Sequence, residues 1–482
     1  MTPAQPRLDQ RIISFATGVC VMYYAGVMAL APGDFQGDSL AYLGIAARMK
    51  EGSFDLGSYN YLRGLAYPWF LSMTWGSNGF WTYFIQAALF LTSLWLALRV
   101  LALDSLYGLL PICAAMIPAV AFLQRQIYPD GILVSLTLLY LVGIARRRWL
   151  ACVLLGLILA ATKIMFVFLL PLTLAMYILD RKLIRSALVV RAAVVGLALI
   201  PLLAVLAAYV FVDLGYMVIF ARPHSHGYAV ERLIAPSGLT VQCGGREHDV
   251  PIGELYLDPI TVPHPVAPYG PLTRERAEAL GCGRDDLRSL KWRLIKSGFA
   301  ADPALHIRLA ARHFATALTG GYDVGHVSYI LRMRELALRT HYDQRSYFEP
   351  VEVEWLPRLR GNGFEIPAPG PSPLFALNGF SARAGESMIR WAAIGLLALS
   401  LAVGRRRGVL SVVGRDAANI AIVAFLVAYS GLISLLGPFV YDRYTYVNLL
   451  CLCILAARLA AQTVGTTSGK IEREPPELSR QG

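Results

Sequence analysis

Eight ionisable residues stand at the edges of apolar runs: Asp34, Asp38, Arg63, Arg125, Asp130, Lys163, Asp442 and Arg443. Ionisable groups at a bilayer boundary are costly and usually face a cavity or a partner. Two acids in one early loop, ringed by cations from later segments, suit an anionic substrate. A carboxylate within hydrogen-bond reach of a hydroxyl can act as its base, and cations aimed at a departing anion stabilise its charge.

Plainer roles exist for each residue. Asp38 also fits as the N-cap of a helix starting at Ser39, and Asp34 as a turn residue between Pro32 and Gly37. Arg63 can pair with Asp55, Arg125 and Lys163 can snorkel at helix ends, and Asp442–Arg443 can be an ordinary interfacial pair. Asp130, one turn into an apolar run, can neutralise Arg125. His224 and His226 form an H-x-H that could supply two metal ligands, but spacing supplies no third, and solvated loop histidines fit better. Tyr216, Tyr228 and Trp292 read as interfacial aromatics.

The elements that must position these residues are membrane helices. The chain has 482 residues, 56% hydrophobic and 16% charged, with mean hydropathy +0.52. Soluble chains carry about 25% charge, and apolar runs near the roughly 20 residues that cross a bilayer recur here. The net charge of +12 comes largely from short basic loops between apolar runs. That is the positive-inside pattern, which excludes reading the charge as a nucleic-acid footprint. No P-loop, GxGxxG unit or G-x-S-x-G is present, so nucleotide-hydrolase and serine-hydrolase chemistry lacks support.

Arg7 and Arg11 put the N-terminus in the cytoplasm. The first apolar run, 12–31, lacks a cleavage pattern and reads as a retained helix. The loop 32–68 then lies outside, with Leu40, Leu43 and Ala47 at the spacing of a helix resting apolar side down on the membrane. Further helices are expected over 80–98, 106–123, 128–146, 149–162, 164–179 and 192–212, with Lys163 in the outer turn of the fifth and sixth. Residues 213–386, rich in Pro, Gly, His and charge, form an extracytoplasmic mixed domain with amphipathic helices at 303–318 and 327–339. Three more helices follow at 387–403, 417–436 and 444–461, then a polar cytoplasmic tail, 462–482. The expected fold is an all-α polytopic membrane protein of about ten spans, in units 1–212, 213–386 and 387–461, with both termini cytoplasmic. Of seven cysteines, Cys20, Cys113, Cys152, Cys451 and Cys453 read as core residues. Cys243 and Cys282 share the polar segment, where an oxidising compartment permits a disulfide that sequence alone leaves open.

In order along the chain, GDSLAYLGIAARMKEG, RGLAYPWFLSM, IYPDGILVSL, ATKIMFVFLLPL and DRYTYVNLLCLCILA resemble segments of the GT-C superfamily of membrane glycosyltransferases. That group contains the protein mannosyltransferases and lipid A aminoarabinose transferases. The likeness covers about the first 180 residues and the last 60, not the middle. Many members carry Asp-Glu in the first loop. Here Ser39 follows Asp38, leaving the second acid to Asp34 or to no residue.

The resemblance implies inverting transfer of a sugar from a polyprenyl-phosphate donor to a lipid, glycan or protein acceptor, outside the bacterial inner membrane. Asp38, with Asp34, is then the catalytic acid pair, and Lys163, Arg125, Arg443 and Arg63 the donor-phosphate cations. Tyr42, Tyr67, Tyr128, Asp130, Asp442, His224 and His226 are the substrate contacts. A divalent cation is compatible with these residues, but none is required. A transporter or flippase for an anionic lipid or sugar explains the boundary charges equally well. It accounts less readily for the large polar segment and shows no matching broken halves. A non-catalytic assembly protein is a third reading.

Overall fold

The computed structural model describes residues 8–30, 37–54, 64–75, 79–101, 105–125, 127–179, 212, 215–216, 218–220, 222–223, 226–234, 239–251, 272, 274–320, 373–407, 416–436 and 442–465. The expected helix over 192–212, save residue 212, the helix over 327–339 and the tail beyond 465 lie outside these residues.

The N-terminal helices are α1 (Leu8–Leu30), α2 (Gly37–Glu51), α3 (Ala66–Thr74) and α4 (Phe80–Val100). Next come α5 (Leu109–Ala115), α6 (Pro118–Leu123), α7 (Asp130–Ala145), α8 (Trp149–Thr162) and α9 (Leu169–Leu179). The polar segment holds strands β1 (Leu239–Cys243) and β2 (Arg246–Val250), then α10 (Arg274–Ala279), α11 (Arg284–Ala301) and α12 (Pro303–Thr319). The chain closes with α13 (Pro373–Arg406), α14 (Ala417–Leu436) and α15 (Asp442–Gly465).

Among the described residues, five helices are long and apolar enough to cross a bilayer, within α1, α4, α13, α14 and α15. α7, α8 and the Ile164–Ile178 stretch are shorter apolar helices. The chain is thus a helical membrane protein. α15 is the most enclosed of the long helices. It packs on α13, α14, α5 and α7, while α4 lies along α7 and α7 along α8. Aromatic residues Phe80, Trp81 and Phe84 are exposed at the start of α4, as rings at a membrane–water interface are.

Several boundaries differ from the sequence reading. The single helix expected over 106–123 is a 3₁₀ turn followed by α5 and α6, broken before Pro118. Proline offers no N–H and clashes with the preceding turn, so an apolar run need not be one helix. α13 begins at Pro373, well before the expected start at 387. α2 begins at Gly37, so Asp38 lies inside its first turn and is not the cap. Residues 42–47 of α2 are all buried, so this helix is enclosed and does not rest on one face. Cys113 is exposed, whereas Cys20, Cys152, Cys451 and Cys453 are buried as expected. Tyr216 is buried in the core of the polar segment, not interfacial; Trp292 is exposed.

That second core gathers Phe220, Leu233, Val241, Leu290 and Leu294. The antiparallel β1–β2 hairpin joins it, with Cys243 opposite Arg246. A Cys243–Cys282 disulfide ties the hairpin to the turn before α11. Asp286 reinforces the junction by accepting from the Gly283 and Gly244 amides at 2.9 and 3.2 Å.

Helix ends leave carbonyls unpaired, and a bilayer supplies no water to satisfy them. Among the described residues, arginines do so at several helix ends. Arg222 donates to Ser434 O, near the end of α14, at 2.6 Å. Arg390 donates to Leu318 O, near the end of α12, at 3.3 Å. Arg458 donates to Leu101 O, just past α4. Arg458 also pairs with Asp416 at 2.7 Å and donates to Asn419 at 3.0 Å. Gln462 closes that knot by accepting from Asn419 and donating to Asp416.

Candidate functional site

The site forms where α7 begins, α8 ends and α15 begins. Asp130 occupies the first turn of α7, and Lys163 is the residue on which α8 stops. Each charge sits at the helix end whose dipole favours it. Lys163 adopts an extended backbone, φ −154° and ψ 116°, which turns the chain from α8 into the 3₁₀ stretch Ile164–Phe168. Its Nζ lies 3.3 Å from Asp130 Oδ1 and 3.6 Å from the centre of the Tyr444 ring. An ammonium over an aromatic face is attracted by the ring quadrupole, more strongly where water is scarce. Asp130 is only 3% exposed and Lys163 14%, so the pair is nearly dry.

An aromatic wall stands beside it. Tyr42 of α2 meets Tyr67 of α3 edge-on at 5.3 Å and Tyr128, just before α7, at 6.4 Å. Tyr67 donates to Gln86 Oε1 at 3.2 Å, and Gln86 donates to Gln124 O at 3.1 Å. Burial first, and then neighbouring Tyr83, Tyr42, Asp130 and Tyr128, push the Tyr67 hydroxyl well above the ordinary tyrosine range. It therefore stays a neutral donor. Arg125 lies over the Tyr83 ring at 4.7 Å, and burial lowers its pKa from the usual value. The carboxylate of Asp130 pairs with Lys163, a partner beyond the Arg125 that its plainer role named.

The first loop reaches this place through backbone. A Cβ on Gly64 would lie 2.2 Å from Ala161 O and 2.3 Å from Thr162 O. Only a residue without a side chain lets the segment before α3 run so close to the end of α8. Asp38 is in the first turn of α2, four residues before Tyr42. Asp442 and Arg443 open α15, immediately ahead of Tyr444. For these three the structure describes the backbone course alone. Asp34, Arg63 and His224 lie outside the described residues.

His226 belongs to a different cluster. Its Nδ1 is 2.9 Å from Arg222 O, and its ring is 5.7 Å from that of buried His313 on α12. It is half-buried and not the solvated loop histidine expected. Among the described residues no group of three His, Cys, Asp or Glu side chains is placed to hold a metal.

Of the predicted set, Lys163, Asp130, Tyr42, Tyr67 and Tyr128 come together, Arg125 lies along the Gln124 edge, and His226 stands apart. Sequence reasoning missed Tyr444, Gln86, Gln124 and Tyr83. Gln86 carried a signal, an amide in the middle of a spanning run. Tyr444 carried only its place beside Arg443. The chain matches no family model, no curated protein and no solved structure at a significant level.

Proposed function

We propose that the protein is a membrane glycosyltransferase of GT-C type. It moves a sugar from a polyprenyl-phosphate donor to an acceptor at the outer face of the membrane. The observation that carries this reading is the Lys163 ammonium, held between the Asp130 carboxylate and the Tyr444 ring beside the first-loop helix. A cation fixed in a nearly dry setting is suited to a departing phosphate, because its charge acts without solvent reorganisation.

In this reading Lys163, with Arg125, Arg443 and Arg63, faces the donor phosphate. Asp38 takes the proton of the acceptor hydroxyl as that oxygen attacks the anomeric carbon. The bond from sugar to phosphate breaks on the opposite side, inverting the centre. The buried tyrosines Tyr42, Tyr67 and Tyr128 back the pair as a rigid wall, and Asp130 holds Lys163 in place. The Cys243–Cys282 disulfide suits a polar segment outside the cytoplasm.

The test is transfer in isolated membranes with a panel of polyprenyl-phosphate sugars, comparing wild type with Asp38→Asn and Lys163→Ala. Turnover of one donor by wild type, lost in both variants, supports the reading. Equal turnover in Asp38→Asn removes that residue from the chemistry. Movement of intact donor across the bilayer without sugar transfer would replace the enzyme with a flippase.

A further inference from the structure

A second buried ion pair lies a short distance from the site. Arg390 of α13 is fully buried and pairs with Glu386, one turn earlier, through both Nε and Nη2 at 2.9 and 2.7 Å. Such an approach by two nitrogens fixes the guanidinium plane. The same group donates from Nη1 to Leu318 O at 3.3 Å and from Nη2 to Thr445 O at 2.9 Å. One side chain thus grips the end of α12 and the first turn of α15.

Two further contacts make the junction specific. Gly320 ends α12 in the left-handed region, φ +75°, and a Cβ there would lie 2.2 Å from Arg390 Nε. Asn448, one turn beyond Thr445, donates to Ala317 O and to Ser430 Oγ, each at 3.0 Å. Thr445 adjoins Tyr444, whose ring covers Lys163. A continuous series of contacts therefore runs from the polar segment to the site cation. It passes from α12 through Arg390 to Thr445, then from Tyr444 to Lys163 and Asp130.

We propose that Arg390 is a positioning residue that makes the placement of the Lys163 ammonium depend on the seating of α12. Glu386 holds the guanidinium in orientation, and Arg390 holds the start of α15 at the depth where the Tyr444 ring meets Lys163. Displacement of α12 takes the Leu318 and Ala317 carbonyls from Arg390 and Asn448, which shifts the guanidinium and the start of α15 and turns the Tyr444 ring off the ammonium. The proposal deepens the transferase reading, in which Lys163 faces donor phosphate, by naming the polar segment as what controls that cation. A buried pair costs much to desolvate and is often replaceable by apolar side chains. Its presence here is explained by the two backbone carbonyls that Arg390 must reach.

The experiment reads Lys163 itself. Purified full-length protein is labelled with a water-soluble amine-acylating reagent, and modification of Lys163 is followed by mass spectrometry, with Lys296 as internal reference. Asp130→Asn and Tyr444→Leu calibrate the signal for a released ammonium. Arg390→Gln and Gly320→Ala should raise Lys163 labelling by about fivefold or more, the lower range of coupling between sites, with Lys296 unchanged. Arg390→Lys, which keeps a charge but loses the fork, should fall between. If Arg390→Gln does not fold, the milder Gly320→Ala decides. Unchanged Lys163 labelling in either folded variant overturns the proposal. Polyprenyl-phosphate binding is measured on the same samples. Raised labelling with no binding by wild type would keep the coupling and sink the transferase reading.

Discussion

The ring of Tyr444 covers the ammonium of Lys163 at 3.6 Å, although the two residues come from well-separated parts of the chain. On its other side Lys163 meets Asp130. Removing one partner from a buried pair leaves the other charged and unsatisfied, at a cost of about 3–5 kcal/mol. Asp130→Ala is therefore expected to lower the thermal midpoint in detergent sharply. Asp130→Asn, which keeps the shape and a hydrogen-bonding group, is expected to cost less. Equal midpoints for both variants and wild type would show that the pair contributes nothing to the fold.

Asp38 is the proposed base. General-base groups contribute roughly 10²–10⁴-fold to rate, so Asp38→Asn should lower kcat by at least about a hundredfold while donor affinity stays near wild type. Lys163→Ala should act the other way, chiefly through donor affinity. A matched pair of kinetic and binding titrations separates the two roles, and a shared effect on affinity alone would deny Asp38 its part in the chemistry.

Gly64 has no room for a methyl group. A Cβ would press on two backbone oxygens at the end of α8, which cannot rotate away as a side chain can. Overpacking of this kind costs about 1–3 kcal/mol or more. Gly64→Ala should destabilise the protein and shift the turn that carries Lys163, so both the midpoint and phosphate binding should fall. Retention of both would mean that the first loop approaches α8 less closely than described.

The Cys243–Cys282 bridge closes a stretch with a sequence separation of 39. Loop-closure entropy assigns such a link roughly 4 kcal/mol. Paired serine substitutions should loosen the hairpin and the start of α11, read as faster amide exchange in β1 and β2, while α4, α7 and α15 remain protected. Uniform loss of protection would show that the polar segment and the membrane bundle unfold as one.

His306 gives the polar segment a pH dependence. Burial first, and then the charge of Arg222, lower its pKa from the usual 6.5, against opposing effects of the Gly298 carbonyl and Asp302. The folded state thus favours the neutral ring more than the unfolded state does. Its contribution is full above the unfolded value and is lost as pH falls through the folded one. Unfolding midpoints measured between about pH 5 and pH 8, across the ordinary histidine range, should drop at the acid end. His306→Asn, which cannot gain a proton there, should flatten that part of the curve. A variant with the wild-type slope would place the titrating group elsewhere.

Much of the bundle was legible because charge and apolar length act locally. The break at Lys163 is an example. The run 149–179 is long enough for one crossing, yet the basic residues that follow favour two short helices, and α8 and α9 flank Lys163 as expected. α14 matches its predicted limits for the same reason. The break before Pro118 was masked by unbroken apolar character. The site was less legible. That Lys163 lies at a turn follows from sequence, but its meeting with Tyr444 depends on how α15 is rotated against α7 and α8, which no local pattern encodes. Arg390 was hidden for a related reason. Its spacing from Glu386 is a helix pairing, whereas its hold on Leu318 and Thr445 joins elements far apart in the chain.

The knot of Asp416, Asn419, Arg458 and Gln462 sits at the end of α15 remote from Lys163, and ties that helix to α14 and to the residue after α4. Its groups answer one another although the Asp416 side chain is still one-quarter exposed. α14, α15 and the residue after α4 are thereby pinned to one another at that extremity, as Arg390 and Asn448 pin α15 at the other. In the transferase we propose, a donor lipid seated beside Lys163 meets helices whose far ends keep their register.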